Sequence, residues 1–192
     1  MPDVEGSERR LPNIVITGTP GTGKSTHAQL LVDASPVPLR HLNVSEIAKE
    51  KKLYENYDEE WQTYIVDEDK ARPADEALFS HTANHAGGLV IDWHTCDVFP
   101  ERWVDLVVVL RCDHTLLWDR LEKRGYSLKK IQENNESEIM QTVLDDAKES
   151  YAEEIVVELR SESTEDLESN VDRIVSWIQN WRRDRGFSDH ST

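Results

Sequence analysis

The chain has 192 residues, of which 38% are hydrophobic, and its 38 acidic and 22 basic side chains give a formal net charge of −16. That length and apolar content suffice for one domain with a sizeable core, so a second domain is not needed. The acidic excess opposes general nucleic-acid binding because phosphates would be repelled. It is consistent with solubility alone or with a basic protein partner.

Membrane and disulfide features are not predicted. No apolar run approaches the ~18 residues of a membrane span, and the N-terminus lacks the apolar stretch of a signal peptide, so we expect an intracellular protein. Cys96 and Cys112 lie outside any C-x-x-C or Cys/His spacing, which favours reduced, buried thiols. We expect flexible ends at 1–10 and 188–192 around a single domain over 11–187.

Apolar, β-rich runs recur along the chain and are separated by amphipathic or irregular stretches, which is typical of βαβ units. The run LVVVL (106–110) lacks the polar alternation of a half-exposed strand, which indicates burial on both faces of a parallel sheet. We therefore expect a doubly wound α/β fold. The predicted strands are 13–17, 38–43, 88–92, 105–110 and 154–159.

Helical periodicity covers five stretches between and after these strands. Pro73 suits a first helical turn, and Ser163 or Thr164 suits the N-cap of the last helix. Two segments, 45–70 and 122–135, lack a clear core period and are candidates for moving parts. The predicted helices are Lys24–Asp33, Pro73–Ala86, Thr115–Arg124, Ile131–Ala152 and Thr164–Asp184.

A phosphate-binding motif follows the first predicted strand. Gly18, Gly23, Lys24 and Ser25 fit G-x-x-x-x-G-K-[ST] within the stretch ITGTPGTGKST, which also contains Gly21. In such a loop the backbone N–H groups and the following helix N-terminus face an anion. Lys24 would neutralise the β- and γ-phosphates, and the Ser25 hydroxyl would bind Mg²⁺. The alternative is a glycine-rich turn with a solvated lysine.

Asp92 ends the apolar strand of GGLVIDWH (87–94), where a carboxylate is expected only if it faces a pocket. It would hold Mg²⁺, directly or through water, opposite Ser25; capping of the next turn is the alternative. Trp93 follows where hydrolytic P-loop motors commonly carry a second acid. His94 is then the nearest group able to orient a water or accept a proton, unless it is a structural histidine.

Two arginines end the predicted helix TLLWDRLEKRG. Arg120 and Arg124 lie four residues apart, opposite the leucines of that helix and just before Gly125. Arginines in this position can reach a transferring phosphoryl group or stack on a base. The alternative is surface pairing with Asp119 or Glu122.

The joined motifs resemble the adenylate kinase isoenzyme 6 family, a branch of the nucleoside monophosphate kinases. The resemblance rests on the phosphate loop, on IDWHTCDVFPERW (91–103) and on LEKRGYSLKKIQEN (121–134), and it covers nearly the whole chain. It implies a P-loop kinase fold with a five-stranded parallel sheet, a monophosphate-binding segment at about 43–66 and a short lid at about 123–133.

The resemblance also implies an activity and its residues. The activity is phosphoryl transfer from Mg²⁺-bound ATP to AMP or another monophosphate, together with ATP hydrolysis. By this resemblance Arg124 is the lid arginine, and Asp92 and His94 form the D-x-H element. The residues that match the ATP-binding loop are Gly21, Gly23, Lys24, Ser25 and Thr26.

The same family implies a role in small-ribosomal-subunit maturation, during late processing of 18S rRNA. The expected partners are the basic platform ribosomal protein numbered fourteen and the pre-40S particle, and the expected locations are the nucleus and the cytoplasm. No membrane and no sequence-specific nucleic acid is expected, and the protein is expected to be monomeric apart from its partner.

Two departures keep the function open between a kinase and a ribosome-assembly ATPase. Lys49 stands where the family commonly has an arginine, and a lysine lacks the bidentate fork that grips a phosphate. The segment 45–70 carries nine acids against four lysines, whereas an anion-binding arm should be more basic. A regulatory GTPase is a weaker third reading because the chain has no N-K-x-D motif.

Overall fold

The computed structural model describes residues 9–50, 54–58, 63–66 and 86–187. Within these residues the strands alternate with helices along the chain. The strands are β1 (Ile14–Thr17), β2 (Arg40–Asn43), β3 (Tyr54–Asp58), β4 (Thr63–Val66), β5 (Leu89–Asp92), β6 (Leu106–Arg111) and β7 (Val156–Arg160). The helices are α1 (Lys24–Ala34), α2 (Val44–Glu50), α3 (His114–Lys123), α4 (Leu128–Ile139), α5 (Thr142–Ser150) and α6 (Thr164–Asp184).

Five strands form one parallel sheet in the order β2-β5-β1-β6-β7. Every residue of β1 and β5 is buried, and each strand begins with three consecutive apolar residues, as expected of strands covered on both faces. Side chains alternate between the two faces, so Val15 packs in the core beneath α5 while Ile14 and Ile16 pack beneath α1 and α6. The prediction of a doubly wound parallel sheet with these five strands is confirmed.

A second, two-stranded sheet lies outside the main one. β3 and β4 pair antiparallel, with Tyr57 opposite Tyr64 and Asp58 opposite Thr63. This hairpin falls within the segment 43–66 that the family resemblance assigns to the monophosphate, and the sequence patterns did not predict it. The predicted helix Pro73–Ala86 lies outside the described residues except at Ala86.

The single helix predicted over Ile131–Ala152 is wrong, because the chain forms two helices there. α4 begins earlier, at Leu128, where the Ser127 side chain caps it by accepting a hydrogen bond from Lys130 N. It ends at Ile139, and Gln141 then takes a left-handed conformation with φ of 60°. The break carries no glycine or proline, the residues that commonly signal a helix end.

Both cysteines are free and buried, as predicted. Burial raises the pKa of Cys96 to about 12 and that of Cys112 to about 11, so neither thiol is a reactive nucleophile at neutral pH.

Across the described ranges, none of the helices combines the length and the apolar character that a membrane crossing requires.

Candidate active site

The phosphate-binding motif forms the turn between β1 and α1, as its sequence context predicts. Gly18 has a φ of +146°, and a Cβ there would lie 2.6 Å from the carbonyl oxygen of Leu110. Gly21 has a φ of +98°, and a Cβ there would lie 2.8 Å from Leu117 Cδ1. Both positions therefore require glycine, and the loop is held against β6 and α3 with its mouth at the N-terminus of α1.

The Lys24 ammonium lies across this loop. Its Nζ donates hydrogen bonds to the carbonyl oxygens of Gly18, at 2.7 Å, and of Thr19, at 3.2 Å. Burial lowers the pKa of Lys24 to about 8; the Asp92 carboxylate opposes this shift and the Arg124 guanidinium adds to it. Lys24 is still mainly an ammonium at neutral pH, as the neutralisation of nucleotide phosphates requires.

Asp92 lies at the carboxyl end of β5 and is only 3% exposed. Its Oδ2 accepts hydrogen bonds from Ser25 Oγ at 2.5 Å and from Asn43 Nδ2 at 3.2 Å. The strand register explains the meeting, since Asn43 on β2 and Ile16 on β1 both pair with Asp92. His41 Nε2 lies 3.5 Å from the same oxygen without a hydrogen bond.

These groups fit a magnesium ion that arrives with a nucleotide. A hydroxyl and a single carboxylate are what a protein typically supplies to Mg²⁺, with phosphates and waters completing the shell. Among the described residues, no group of three or more His, Cys, Asp or Glu side chains forms a metal site by itself. Ser25 and Asp92, the two predicted metal residues, therefore lie together in a set that suits a shared ion better than a resident one.

His94 follows the same strand end and faces solvent more than Asp92 does. Its ring stacks at a tilt on Trp93, with 4.3 Å between ring centroids. Loss of hydration and, to a smaller extent, the nearby Lys24 ammonium lower the pKa of His94 to about 4, although the Asp92 carboxylate opposes the shift. Because the residue is exposed overall, solvent screening moderates this shift, and its direction alone indicates a neutral imidazole at physiological pH.

The two arginines at the end of α3 differ. Arg120 is half-buried, and its guanidinium donates to the carbonyl oxygens of Gly21 (3.3 Å), Ser161 (2.9 Å) and Glu162 (3.0 Å). It thus holds the phosphate loop against the β7–α6 connection, and it does not make the surface pair with Asp119 or Glu122 that was the alternative. Arg124 is exposed at the end of α3, close enough to Lys24 to influence its pKa.

Further hydrogen bonds join the phosphate loop and α1 to the β7–α6 connection and to α6. Ser161 Oγ donates to the Thr22 carbonyl at 2.6 Å. The buried His27 ring uses Nδ1 on the Gly23 carbonyl, at 3.0 Å, and Nε2 on the Asn170 amide, at 3.2 Å. Thr26, the remaining predicted loop residue, is exposed in the first turn of α1.

Sequence patterns missed three polar residues of this site, namely Asn43, Thr19 and Glu138. Asn43 also caps α2, because its Oδ1 accepts from Glu46 N at 3.1 Å. An Asn at a strand end before a helix is a recognisable capping signal. The signal for Glu138 is its position seven residues after the buried Ile131, which puts an acid on the core stripe of α4.

This chain is similar in sequence to one family model and to proteins of several organisms. A family model described as "AAA domain" matches residues 14–141. The chain is 52% identical over 176 residues to an adenylate kinase isoenzyme 6 homolog of Schizosaccharomyces pombe, covering 92% of this chain and 97% of that protein. It is 50% identical over 174 residues to the homolog of Dictyostelium discoideum, covering 91% and 95%.

Solved structures with the same fold are also kinases. Shikimate kinase from Bacteroides thetaiotaomicron superposes with a TM-score of 0.56 at 16% identity, covering 88% of this chain and 98% of that chain. A gluconokinase from Sinorhizobium meliloti 1021 superposes with a TM-score of 0.52 at 16% identity, covering 95% and 100%. These two structures are similar to this chain in fold alone, whereas the sequence relatives above show the family to which it belongs. The chain belongs to the adenylate kinase isoenzyme 6 family of P-loop nucleotide kinases.

Proposed function

We propose that this P-loop kinase transfers the γ-phosphoryl group of ATP to AMP or a related nucleoside monophosphate, giving two ADP from ATP and AMP. The observation that carries the proposal is the convergence of Lys24, Ser25 and Asp92 at one end of the parallel sheet. A cation beside a hydroxyl and a buried carboxylate is the set that Mg²⁺-ATP chemistry needs. The family membership supports a monophosphate as the acceptor.

In this mechanism the protein chiefly positions charge. The glycine-rich loop cradles the phosphates, and the Lys24 ammonium neutralises their β and γ groups. Ser25 and Asp92 would hold a Mg²⁺ ion, which would offset the negative charge of the phosphates. Arg124, exposed beside the loop, would reach the transferring group when the segment 123–133 closes and excludes water.

The acceptor would bind at the segment 43–66, which contains the β3–β4 hairpin. Asn43 supports this assignment because it connects the segment to the proposed metal site. Its side-chain amide donates to Asp92, and its side-chain oxygen caps α2, the first helix of the segment. Lys49 would supply a point charge to the acceptor phosphate, with less geometric selectivity than an arginine. We therefore expect a broad tolerance among monophosphates.

The test is ADP formation from Mg²⁺-ATP with and without AMP. We expect AMP to accelerate ADP formation well beyond the rate with ATP alone, and the stoichiometry to reach two ADP per AMP consumed. Equal rates with and without AMP, together with release of inorganic phosphate, would instead identify hydrolysis as the reaction.

A second proposed function is a ribosome-assembly ATPase in the nucleus and cytoplasm, in which His94 and Asp92 position water. The net charge of −16 and the acidic segment 45–70 favour a basic partner, such as the small-subunit ribosomal protein numbered fourteen on the pre-40S particle. The lowered pKa of His94 keeps its imidazole neutral, so that a ring nitrogen could accept a hydrogen bond from the water and orient it.

This second function is tested by adding the purified basic ribosomal protein. It should accelerate phosphate release in the absence of AMP and bind more weakly at about 300 mM salt than at about 50 mM, because long-range steering is screened. Neutralising Asp58, Glu59 and Glu60 to Asn and Gln should slow that association. Unchanged binding of the triple variant at both salt concentrations would leave the acidic charge as a solubility feature.

A further inference from the structure

A buried carboxylate outside the nucleotide motifs lies at the end of α4. Glu138 is only 3% exposed, and it shares the inward face of α4 with the buried Ile131 and Asn135. A buried carboxylate is costly unless its oxygens are fully paired. Its partners therefore show what the residue does.

Three hydrogen bonds satisfy the two oxygens of Glu138. Oε1 accepts from Arg111 Nε at 2.6 Å and from Cys112 N at 3.1 Å, both at the end of β6. Oε2 accepts from Thr19 Oγ1 at 2.5 Å. The backbone carbonyl of Glu138 also accepts from Arg111 Nη2 at 2.9 Å, so one guanidinium contacts both the Glu138 side chain and the end of α4.

Thr19, like Gly18, is a loop residue whose carbonyl oxygen accepts a hydrogen bond from the Lys24 ammonium. Its carbonyl oxygen accepts from Lys24 Nζ at 3.2 Å, from Thr22 N at 3.2 Å and from Thr22 Oγ1 at 2.8 Å. A shift of Thr19 would therefore move the carbonyl that orients the ammonium. Glu138 fixes Thr19 from the side that faces α4.

α4 is also the element that follows the lid arginine. Arg124 ends α3, Gly125 turns the chain with a φ of +74°, and Ser127 caps α4. A Cβ at Gly125 would meet nothing within 4 Å, so the space beside this turn is open. The helix thus runs from the neighbourhood of Arg124 at one end to the phosphate loop at the other.

We propose that Glu138 is a positioning residue that ties α4 to the phosphate loop through Thr19, and so sets the Lys24 ammonium for phosphate binding. Arg111 serves as its counter-ion and anchors both to the sheet. The proposal deepens the proposed kinase function for its effect on kcat, but its effect on ATP binding does not depend on the identity of the acceptor.

The most direct test of this proposal removes the Thr19 hydroxyl. Thr19→Val removes the hydroxyl at nearly constant volume, while Thr19→Ser keeps it. At a temperature where every variant is folded, we expect Thr19→Val to weaken Mg²⁺-ATP binding and lower kcat each by ~10-fold or more, as small misplacements of catalytic groups do. Thr19→Ser should stay within about twofold of the parent chain.

Glu138→Gln should reproduce the Thr19→Val loss. The double variant should be no worse than Glu138→Gln alone, because both changes remove the same charge-assisted hydrogen bond between Thr19 and Glu138. Glu158→Gln is the matched control: Glu158 pairs with the same Arg111 at 3.2 Å, but its side chain is 50% exposed. That variant should bind and turn over normally. Should Glu138→Gln fail to fold, the Thr19 pair decides the question alone.

A purely structural role would lower the melting temperature of Thr19→Val and leave its Mg²⁺-ATP Kd and kcat unchanged, and that result overturns the proposal. Additive losses in the double variant would overturn it as well. If AMP is not the acceptor, the parent chain itself shows no AMP-dependent ADP formation, while the ATP-binding comparison between Thr19→Val and Thr19→Ser still stands.

Discussion

The Ser25 hydroxyl donates a hydrogen bond to the Asp92 carboxylate, with 2.5 Å between Oγ and Oδ2. The two residues come from different elements, the first turn of α1 and the end of β5, and the parallel pairing of β1 with β5 brings them together. The same two oxygens are the ones that we propose as Mg²⁺ ligands.

Removing the charge of Asp92 should therefore raise the magnesium requirement. For Asp92→Asn we expect the Mg²⁺ concentration at half-maximal rate to rise ~10-fold or more, because a neutral amide oxygen attracts a divalent cation less than a carboxylate does. The measurement is the initial rate against free Mg²⁺ at saturating ATP. Asp97→Asn, an exposed acid in the following loop, should leave that concentration unchanged.

Loss of the Lys24 ammonium should abolish turnover. In Lys24→Ala the β- and γ-phosphates lose their neutralising charge, so both phosphoryl transfer and ATP hydrolysis should fall to background. The circular dichroism spectrum should match that of the parent chain, as it should for the exposed control Lys148→Ala. Near-normal turnover of Lys24→Ala would contradict the phosphate-loop assignment.

Substitutions of the two α3 arginines should differ in effect: loss of Arg124 should lower kcat, and loss of Arg120 should chiefly lower the stability of the fold. Arg124→Ala should lower kcat ~10²-fold or more with an unchanged melting temperature, because Arg124 is exposed and its role is transition-state charge. Arg120→Ala should affect kcat less but destabilise the fold by about 1–3 kcal/mol, because three carbonyl oxygens lose a charged donor. Equal and negligible effects on kcat would return both residues to structural roles.

His27 should make stability depend on pH. Burial lowers the pKa of His27 below its ordinary 6.5; the Gly23 carbonyl opposes this and Arg120 adds to it. Below about pH 6.5 the unfolded chain therefore binds a proton that the folded chain refuses, and stability falls as the pH falls.

The slope attributable to this residue is at most ~1.4 kcal/mol per pH unit. Urea unfolding at several values between pH 8 and pH 5 should show it in the parent chain and in His114→Gln, whose side chain is 60% exposed. His27→Gln should flatten the curve on its acid side. An unchanged acid slope in His27→Gln would assign the dependence to other groups.

The sequence patterns predicted the sheet but not the contacts that brace the site. Uninterrupted apolar runs such as that of β6 report burial on both faces, and a local motif identifies Lys24 and Ser25. The Glu138–Thr19 bond joins residues that are far apart in the chain, and no local spacing encodes such a meeting.

The two failures in secondary structure have a similar cause. The break at Gln141 preserves an amphipathic pattern on both sides, so periodicity alone continues the helix through it. Within the described ranges, the β3–β4 hairpin forms a separate two-stranded sheet, so its strands lack the long apolar run that marks a strand of the main sheet. In both places a turn between short elements decided the structure.

The central place of β1 also governs when the chain can acquire its activity. β1 precedes both of its partner strands in the chain, because Ile14 pairs with Val90 on one side and with Leu106 on the other. Both neighbours must leave the ribosome before β1 has its hydrogen bonds, and Ser161 must follow before the loop carbonyl of Thr22 gains its donor. Nascent fragments that end before Ser161 therefore lack the complete phosphate loop, so a bound nucleotide can stabilise the fold only after β5, β6 and Ser161 have been synthesised.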